Sequence, residues 1–401
     1  MTSPRAVRIL IVDDSAVMRS LLRSVVGSDE RLEVAGTASN GAAALSAVDA
    51  MRVDLVLLDV EMPVMDGLST LKQMRARGQL VPVIMCSALT QRGAKVTIEA
   101  LASGAADYVT KPSGHVSREA AWNALAQDLI PKILAHTAWK HSFPPSSSSF
   151  YVAAHIAPES EVVTAGPLLS SVRPSPTGGF QIPTSVPSVV LIGVSTGGPA
   201  ALEQLLPALP ATFPLPVLIV QHMPELFTKS LAERLDARCL LCVAEAKEGE
   251  TIQAGKVYIA KGGWHMEVAV PVGNPERPAV SSSLPVSPVL HLTQNAPVHH
   301  CRPAVDVLFR SAVAVYGPGA LGVVLTGMGS DGLAGSRLIR ENYGTVLAQD
   351  QSTSAVWGMP GSVSQAGLAH RILPLSAIAP EIIRLATPGQ CEAQVLRESA
   401  V

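Results

Sequence analysis

Two separate groups of residues in this 401-residue chain have the types and spacing to do chemistry. In the first, Asp13 and Asp14 close the apolar run Val7–Val12, and Asp59 closes another, Leu55–Leu58. If these runs are neighbouring parallel strands, three carboxylates meet at one sheet edge. There they raise each other's pKa unless a cation sits among them. Oxygen ligands with an open coordination sphere suit Mg²⁺, which keeps waters and can accept a phosphoryl oxygen. Ser87, after Val81–Cys86, and Lys111, after Ala106–Val109, bring a hydroxyl and a cation to the same edge. Taken singly, each acidic residue could equally be a solvated loop residue or a helix cap.

The second group centres on Gly193-Val194-Ser195-Thr196-Gly197-Gly198-Pro199, which joins a strand-like run to a helical one. Small residues on both sides permit a sharp turn that exposes the Ser195 hydroxyl at a helix N-terminus. Backbone N–H groups there can stabilise an oxyanion. A phosphate-cradling loop is the rival reading, but the P-loop ending and the dinucleotide glycine spacing are both absent. A plain N-cap serine is the bland alternative. His222 follows the run Pro216–Gln221 and emerges from the same expected edge. Asp331 lies in Thr326-Gly327-Met328-Gly329-Ser330-Asp331-Gly332, after Leu321–Leu325, and could by itself be an N-cap. Together the three supply a nucleophile, a base and a residue to orient the base. Their order, Ser…His…Asp, differs from the Ser…Asp/Glu…His of α/β-hydrolases.

The elements that must position these groups alternate in type. The first block offers strands Val7–Val12, Leu32–Ala35, Leu55–Leu58, Val81–Cys86 and Ala106–Val109. Helices Ser15–Val26, Gly41–Ala50, Gly67–Arg75, Arg92–Ser103 and Arg118–His136 separate and follow them. This is a (βα)5 pattern of parallel units covered on both faces. The second block alternates in the same way, with strands Ser188–Val194, Pro216–Gln221 and Leu321–Thr326 followed by helices Pro199–Leu206, Phe227–Leu235 and Leu333–Asn342. It too is expected to be a doubly wound parallel-sheet α/β domain, whose ligands sit beyond the carboxyl ends of the strands. Between the blocks, residues 141–187 are rich in Ser and Pro and carry only Glu159, Glu161 and Arg173 as charges, the composition of a flexible linker. The expected boundaries are therefore 1–140, 141–187 and 188–390. The proline-rich patch Pro271–Pro288 suggests a long surface loop or hairpin insertion.

Composition narrows the function classes. Hydrophobic residues make up 48% and charged residues 15%, enough apolar material for sizeable cores. The net charge of −2 and the lack of a basic run argue against nucleic acid as a partner. No run approaches the ~18 apolar residues of a membrane span, and Val7–Val12 runs straight into Asp13 and Asp14 rather than forming a signal peptide. Five cysteines, an odd number, suggest reduced thiols and a cytoplasmic location. Cys239 and Cys242 form a lone C-x-x-C in a strand-like run, where positions three apart face opposite sides. Buried free thiols are the expectation there, not a metal site.

Val12-Asp13-Asp14-Ser15, Leu58-Asp59-Val60-Glu61-Met62-Pro63-Val64-Met65-Asp66-Gly67, Ser87-Ala88 and Lys111-Pro112 together resemble a two-component receiver domain over residues 5–138. The resemblance implies that Asp59 accepts a phosphoryl group, while Asp13, Asp14 and the Glu61 backbone carbonyl help hold Mg²⁺. It also implies that Lys111 pairs with the phosphate and that Ser87 and Tyr108 act as switch positions. Gly193–Pro199, Gln221-His222-Met223-Pro224 and Thr326–Gly332 resemble the catalytic domain of the chemotaxis-type protein-glutamate methylesterases, the CheB family. Val257-Tyr258-Ile259-Ala260, Arg302–Phe309 and Gly358-Met359-Pro360 are further matches, over roughly residues 188–385. Ala304 stands where that family often has Ser, and the proline-rich insertion and long linker depart from its compact members.

The implied reaction is hydrolysis of glutamate methyl esters on chemoreceptors, releasing methanol, with deamidation of receptor glutamines as an implied second activity. A chemotaxis histidine kinase would be the phosphodonor, and the ester step needs no cofactor. Ser195 would attack, His222 take the proton and Asp331 hold the imidazole, with backbone N–H groups near Thr196 and Met328 as the candidate oxyanion hole. The Thr196 hydroxyl could orient the nucleophile or merely stabilise the turn. Two other readings stand beside this one: a serine hydrolase of small esters under receiver control, and a non-enzymatic response regulator whose second domain only binds.

Overall fold

The computed structural model describes residues 5–112, 117–137, 185–271 and 287–388. The linker reading for 141–187 and the insertion reading for 271–288 therefore fall almost wholly outside the described residues.

The N-terminal domain runs β1 (Val7–Val12), α1 (Ala16–Val26), β2 (Leu32–Ala38), α2 (Gly41–Ala50), β3 (Leu55–Asp59), α3 (Gly67–Ala76), β4 (Val83–Ser87), α4 (Gln91–Ala102), β5 (Asp107–Thr110) and α5 (Arg118–Thr137). Its five strands are parallel in the order β2-β1-β3-β4-β5. The near-continuous apolar strands are buried on both faces, as a sheet covered by helices on two sides requires. Each helix begins where a short polar side chain takes up an amide of the first turn: Ser15 for α1, Asn40 for α2, Asp66 for α3, Thr90 for α4 and Ser117 for α5. The sequence limits hold to within a residue or two, except that β2 extends three residues beyond the expected Ala35.

The C-terminal domain runs β6 (Val189–Val194), α6 (Gly198–Leu205), β7 (Val217–Gln221), α7 (Phe227–Asp236), β8 (Cys242–Glu245), β9 (Lys256–Ile259), β10 (His265–Ala269) and β11 (Val289–Thr293). It continues through α8 (Val305–Tyr316), β12 (Ala320–Val324), α9 (Leu333–Glu341), β13 (Thr345–Gln349), α10 (Met359–Gln365), β14 (Arg371–Leu373) and α11 (Leu375–Ala386). Seven parallel strands form one sheet in the order β14-β13-β12-β6-β7-β9-β8, and β10 and β11 form a separate antiparallel pair. The chain leaves β6 toward β7 on one side and returns to β12 on the other, so β6 sits at the topological switch point, where a crevice opens at the carboxyl edge. The cysteine expectation needs correcting. Cys239 lies in the turn after α7, half-buried, and Cys242 opens β8 in an exposed position, so this pair of free thiols is neither buried nor within one strand.

The two domains share an interface. Tyr108 at the end of the first sheet stacks on Phe227 at the start of α7, with ring centroids 4.8 Å apart and planes 15° from parallel. Helix α4 packs on α6 and α7, and Lys95 pairs with Glu233 at 3.8 Å. Among the described residues no helix is long and apolar enough to cross a membrane.

Candidate active site

Ser195 directly follows β6, and its amide donates to the Thr326 carbonyl at 3.0 Å, which ties the turn to the end of β12. Its own carbonyl accepts from the Gly198 amide at 2.8 Å and from the side chain of buried Gln221 at 3.0 Å. Gly197 adopts φ +77°, a conformation that a side chain strains, and so lets the chain swing from strand into α6 within three residues. Gly327 is required for a different reason: a Cβ there would lie 2.8 Å from the Ser195 Cβ and 2.4 Å from the Met359 sulfur. Glycine thus brings the Thr326–Gly332 loop against the serine.

His222 follows β7, anchored by its amide to the Val194 carbonyl at 3.2 Å. Its Nε2 meets Asp331 Oδ2 at 2.8 Å, and the pair is almost wholly buried. Asp331 also accepts from the Val305 amide at 2.7 Å, the Asp306 amide at 2.9 Å and the Gly332 amide at 2.9 Å. Burial opposes ionisation of Asp331, but His222 and these amides outweigh it and hold the carboxyl below its ordinary range. Burial alone would also lower the His222 pKa. The bond to Asp331, with the Cys301 thiol beside the ring, overrides that and raises it to about 9. Sequence reasoning did not single out Cys301, and no local pattern marks it: only folding of the segment before Arg302 brings it to the ring.

Ser195, His222 and Asp331 therefore converge on the crevice beside β6, but not all their contacts are made. The histidine–aspartate bond is formed, whereas among the described residues the Ser195 hydroxyl makes no hydrogen bond. Such bonds are often loose until substrate is present. Thr196 is buried and its carbonyl accepts from the Thr326 hydroxyl at 2.9 Å, but its own hydroxyl has no partner there and does not engage Ser195. Neither the Thr196 nor the half-buried Met328 backbone N–H donates to any group among the described residues, so both remain available to an oxyanion.

The acidic site lies at the carboxyl edge of the first sheet. Asp13 and Asp59 are buried, Asp14 is exposed, and one oxygen from each lies within 4.8 Å of the others. Lys111, just past β5, bridges Asp13 Oδ2 and Asp59 Oδ1 at 2.7 Å each. Burial pushes Asp59 up to about 6, a rise that Lys111 opposes and Asp13 reinforces. Burial likewise works against the Lys111 charge, but the two carboxylates prevail and raise its pKa. Asp59 Oδ1 accepts weakly from the Glu61 amide at 3.4 Å, and the Glu61 side chain pairs with Arg92 at 3.4 Å. Ser87 is buried on β4, its hydroxyl turned to the Ala88 carbonyl at 3.3 Å. Tyr108 faces away from this cluster and into the domain interface. Three carboxylates around one point, with a buried member resisting ionisation, suit a hard divalent cation.

Residues 9–121 match the family model described as response regulator receiver domain, and residues 190–382 match that described as CheB methylesterase. A protein-glutamate methylesterase/protein-glutamine glutaminase of Trichodesmium erythraeum is 45% identical over 94% of this chain and 98% of its own length. A protein of the same description from a Nocardioides species is 45% identical over 94% of this chain and 95% of its own. The crystal structure of the Thermotoga maritima CheB methylesterase catalytic domain is 40% identical, covers 50% of this chain and 98% of that one, and gives a TM-score of 0.46. With a serine and a histidine–aspartate pair at the edge of one sheet, an acidic pocket at the edge of the other, and relatives matching nearly end to end, the chain belongs to the CheB methylesterase family, with a receiver domain ahead of the catalytic domain.

Proposed function

We propose that this chain is a receiver-controlled serine esterase that hydrolyses γ-glutamyl methyl esters on chemoreceptors. The observation that carries the reading is the buried His222–Asp331 bond at the switch point. Beside it, the Ser195 hydroxyl and two backbone N–H groups have no partner among the described residues. Ser195 attacks the ester carbonyl as His222 takes its proton. Because Nε2 is held by Asp331, the accepting atom is Nδ1. The tetrahedral oxyanion rests on the N–H groups of Thr196 and Met328, where one donor is worth roughly 2.7–4 kcal/mol. Collapse breaks the C–O bond, and the imidazolium returns the proton to the leaving methoxide, releasing methanol. Water, deprotonated by His222, then frees the glutamate carboxylate and restores Ser195. The same cycle on a glutamine amide expels ammonia, so deamidation needs no further groups.

Control comes from the N-terminal domain. Asp59 is the phosphoacceptor. Asp13, Asp14 and Asp59, with the Glu61 carbonyl, would hold Mg²⁺, which when bound offsets the charge of the transferring phosphoryl oxygens. The donor is a histidine kinase. Ser87 ends β4, the strand beside that of Asp59, and Lys111 follows β5 just beyond it, so both meet the added oxygens from that side. Tyr108, on the strand beside Ser87, carries any repacking straight to Phe227. A cavity of about 270 Å³ lies between the domains, lined by Tyr108, Asp128 and Lys132 on one side and by His222, Met223 and Cys301 on the other. The receiver thus covers the histidine side of the crevice and hinders a receptor helix. The free thiols of Cys86, Cys239, Cys242 and Cys301 suit a reducing cytoplasm.

The test is methanol release from methyl-labelled receptor membranes, with and without a small phosphodonor. Release that the phosphodonor stimulates, and that Asp59→Asn prevents it from stimulating, is expected. Hydrolysis of small esters with none from receptors would favour the broader serine-hydrolase reading.

A further inference from the structure

Helices α8 and α9 both start without a side chain able to cap them: Ala304 precedes α8 and Gly332 precedes α9. The amides of their first turns nevertheless have acceptors, and the two helices exchange them. Asp331, just before α9, takes the Val305 and Asp306 amides of α8 at 2.7 and 2.9 Å. Asp306, on the first turn of α8, takes the Gly332 and Gly335 amides of α9 at 3.0 and 2.6 Å through Oδ1. Its Oδ2 is held by His299 Nε2 at 2.9 Å. Asp306 is buried at 4% exposure, so its partners are not interchangeable with water.

We infer that Asp306, secured by His299, is a positioning residue for the esterase: it fixes the start of α9, and with it the carboxylate that orients His222. The inference rests on the Ser195–His222–Asp331 reading and extends it. Asp331 shares the Gly332 amide with Asp306, 2.9 Å from one carboxylate and 3.0 Å from the other, so the two carboxylates cannot move independently. His299 reaches Asp306 from a turn in which both His299 and His300 adopt positive φ, +50° and +61°, closed by a bridge between Val298 and Cys301. Non-glycine residues persist in that conformation only where their surroundings over-determine it. The same turn sets Cys301 beside His222. One strained turn therefore reaches the triad from two sides, through Asp306 to Asp331 and through Cys301 to the imidazole. A cation site among His299, Asp306 and Asp331 is the competing reading, and it fails because each of the four carboxylate oxygens already accepts an N–H.

The test uses the full chain with Asp306→Asn, Asp306→Ala, His299→Ala and His299→Gln, assayed on methylated receptors across pH beside Ser195→Ala. Outer partners of catalytic groups typically matter by roughly ten- to a hundredfold. Asp306→Ala is expected to lower kcat within that range while KM stays within about twofold. Asp306→Asn keeps the Oδ1 acceptor but not the charge, so it should lose less and should move the base-titration limb to lower pH, because one anion near the imidazolium is gone. His299→Ala should lose activity that His299→Gln, which retains a donor for Oδ2, largely restores. If Asp306→Ala fails to fold, Asp306→Asn decides alone. A folded Asp306→Asn with unchanged kcat and unchanged limb, beside an inactive Ser195→Ala, overturns the positioning role and leaves the triad standing. Wild-type turnover by Ser195→Ala removes both.

Discussion

The two domains start their helices in different ways. In the receiver, α1 to α5 are each capped by a side chain from the residue or two just ahead: Ser15, Asn40, Asp66, Thr90 and Ser117. In the catalytic domain none of α6 to α11 has such a cap. A helix start left open must find acceptors elsewhere. Helices α8 and α9 find them in Asp331 and Asp306, across the fold, and at α6 the amide of Thr196, just ahead of the N-cap, has no acceptor among the described residues. Locally closed helices leave the receiver's chemistry to side chains at strand ends, where Lys111 already pairs with Asp13 and Asp59. Helix starts closed over long range make the esterase site depend on tertiary fit, and in this arrangement it is incompletely engaged: histidine and aspartate are joined and the serine is not.

The largest expected effect separates the serine from the rest of this framework. Ser195→Ala should cost roughly 10⁶ in kcat, the scale seen when a triad nucleophile is removed, with folding unchanged because the hydroxyl makes no hydrogen bond among the described residues. Turnover near wild type on purified methylated receptor would sink the nucleophile assignment. Asp331→Asn should follow at roughly 10⁴, through the wrong imidazole tautomer. Unlike Ser195→Ala it should also lower the melting temperature, since Asp331 caps α8. A melting temperature equal to wild type would break the long-range capping half of the comparison.

The pH profile probes the same difference. In the proposed mechanism His222 must be neutral to take the serine proton, and its pKa is raised to about 9. A raised pKa means imidazolium below that value, so basal kcat/KM should fall about tenfold per pH unit below it and level off above it. A profile already flat at pH 7 would show that His222 is not held as imidazolium while the receiver is docked. A smaller effect is expected at the interface. Stacked aromatic pairs contribute about 0.5–1.5 kcal/mol beyond their buried area, so Tyr108→Leu should raise the basal rate roughly two- to tenfold while leaving the phosphodonor-stimulated rate unchanged. An unaltered basal rate would remove the gating role of the Tyr108–Phe227 stack.

Much of this was legible in the residues, and what was not has a physical reason. Strands such as Val189–Val194 and Val217–Gln221 announce themselves as apolar runs because they are buried on both faces, and the polar residues that end them carry the chemistry. Asp13, Asp59, Ser195 and His222 were therefore visible as strand-end residues. Asp306, His299 and Cys301 were not, since their role arises from contacts across turns, helix starts and domains that no local pattern encodes. Asp306 in particular sits on the first turn of α8, where an acidic residue is ordinary helix chemistry. The Cys239–Cys242 expectation failed because an apolar run, Cys239-Leu240-Leu241-Cys242, divides between a turn and the start of an edge strand.

The smallest effect sharpens the comparison most directly. Asn40 caps α2 by accepting the Ala43 amide at 2.9 Å, on the β2 side of the receiver, opposite the face that meets the catalytic domain. Replacing it with Ala removes one local acceptor, which typically costs about 1 kcal/mol of stability and lowers the melting temperature of a domain this size by a few degrees. Nothing links that amide to the esterase crevice, so Asn40→Ala should leave basal and stimulated hydrolysis within about twofold of wild type. Measured beside Asp331→Asn, the two caps then separate cleanly. Each closes a helix, but the receiver's serves its own first turn, whereas Asp331 closes α8 with both oxygens and, in the proposed mechanism, orients the base through one of them, Oδ2. If Asn40→Ala lowered the esterase rate as steeply as it lowered stability, helix capping in the receiver would be coupled to catalysis, and the division between locally and distantly closed helices would carry no functional meaning.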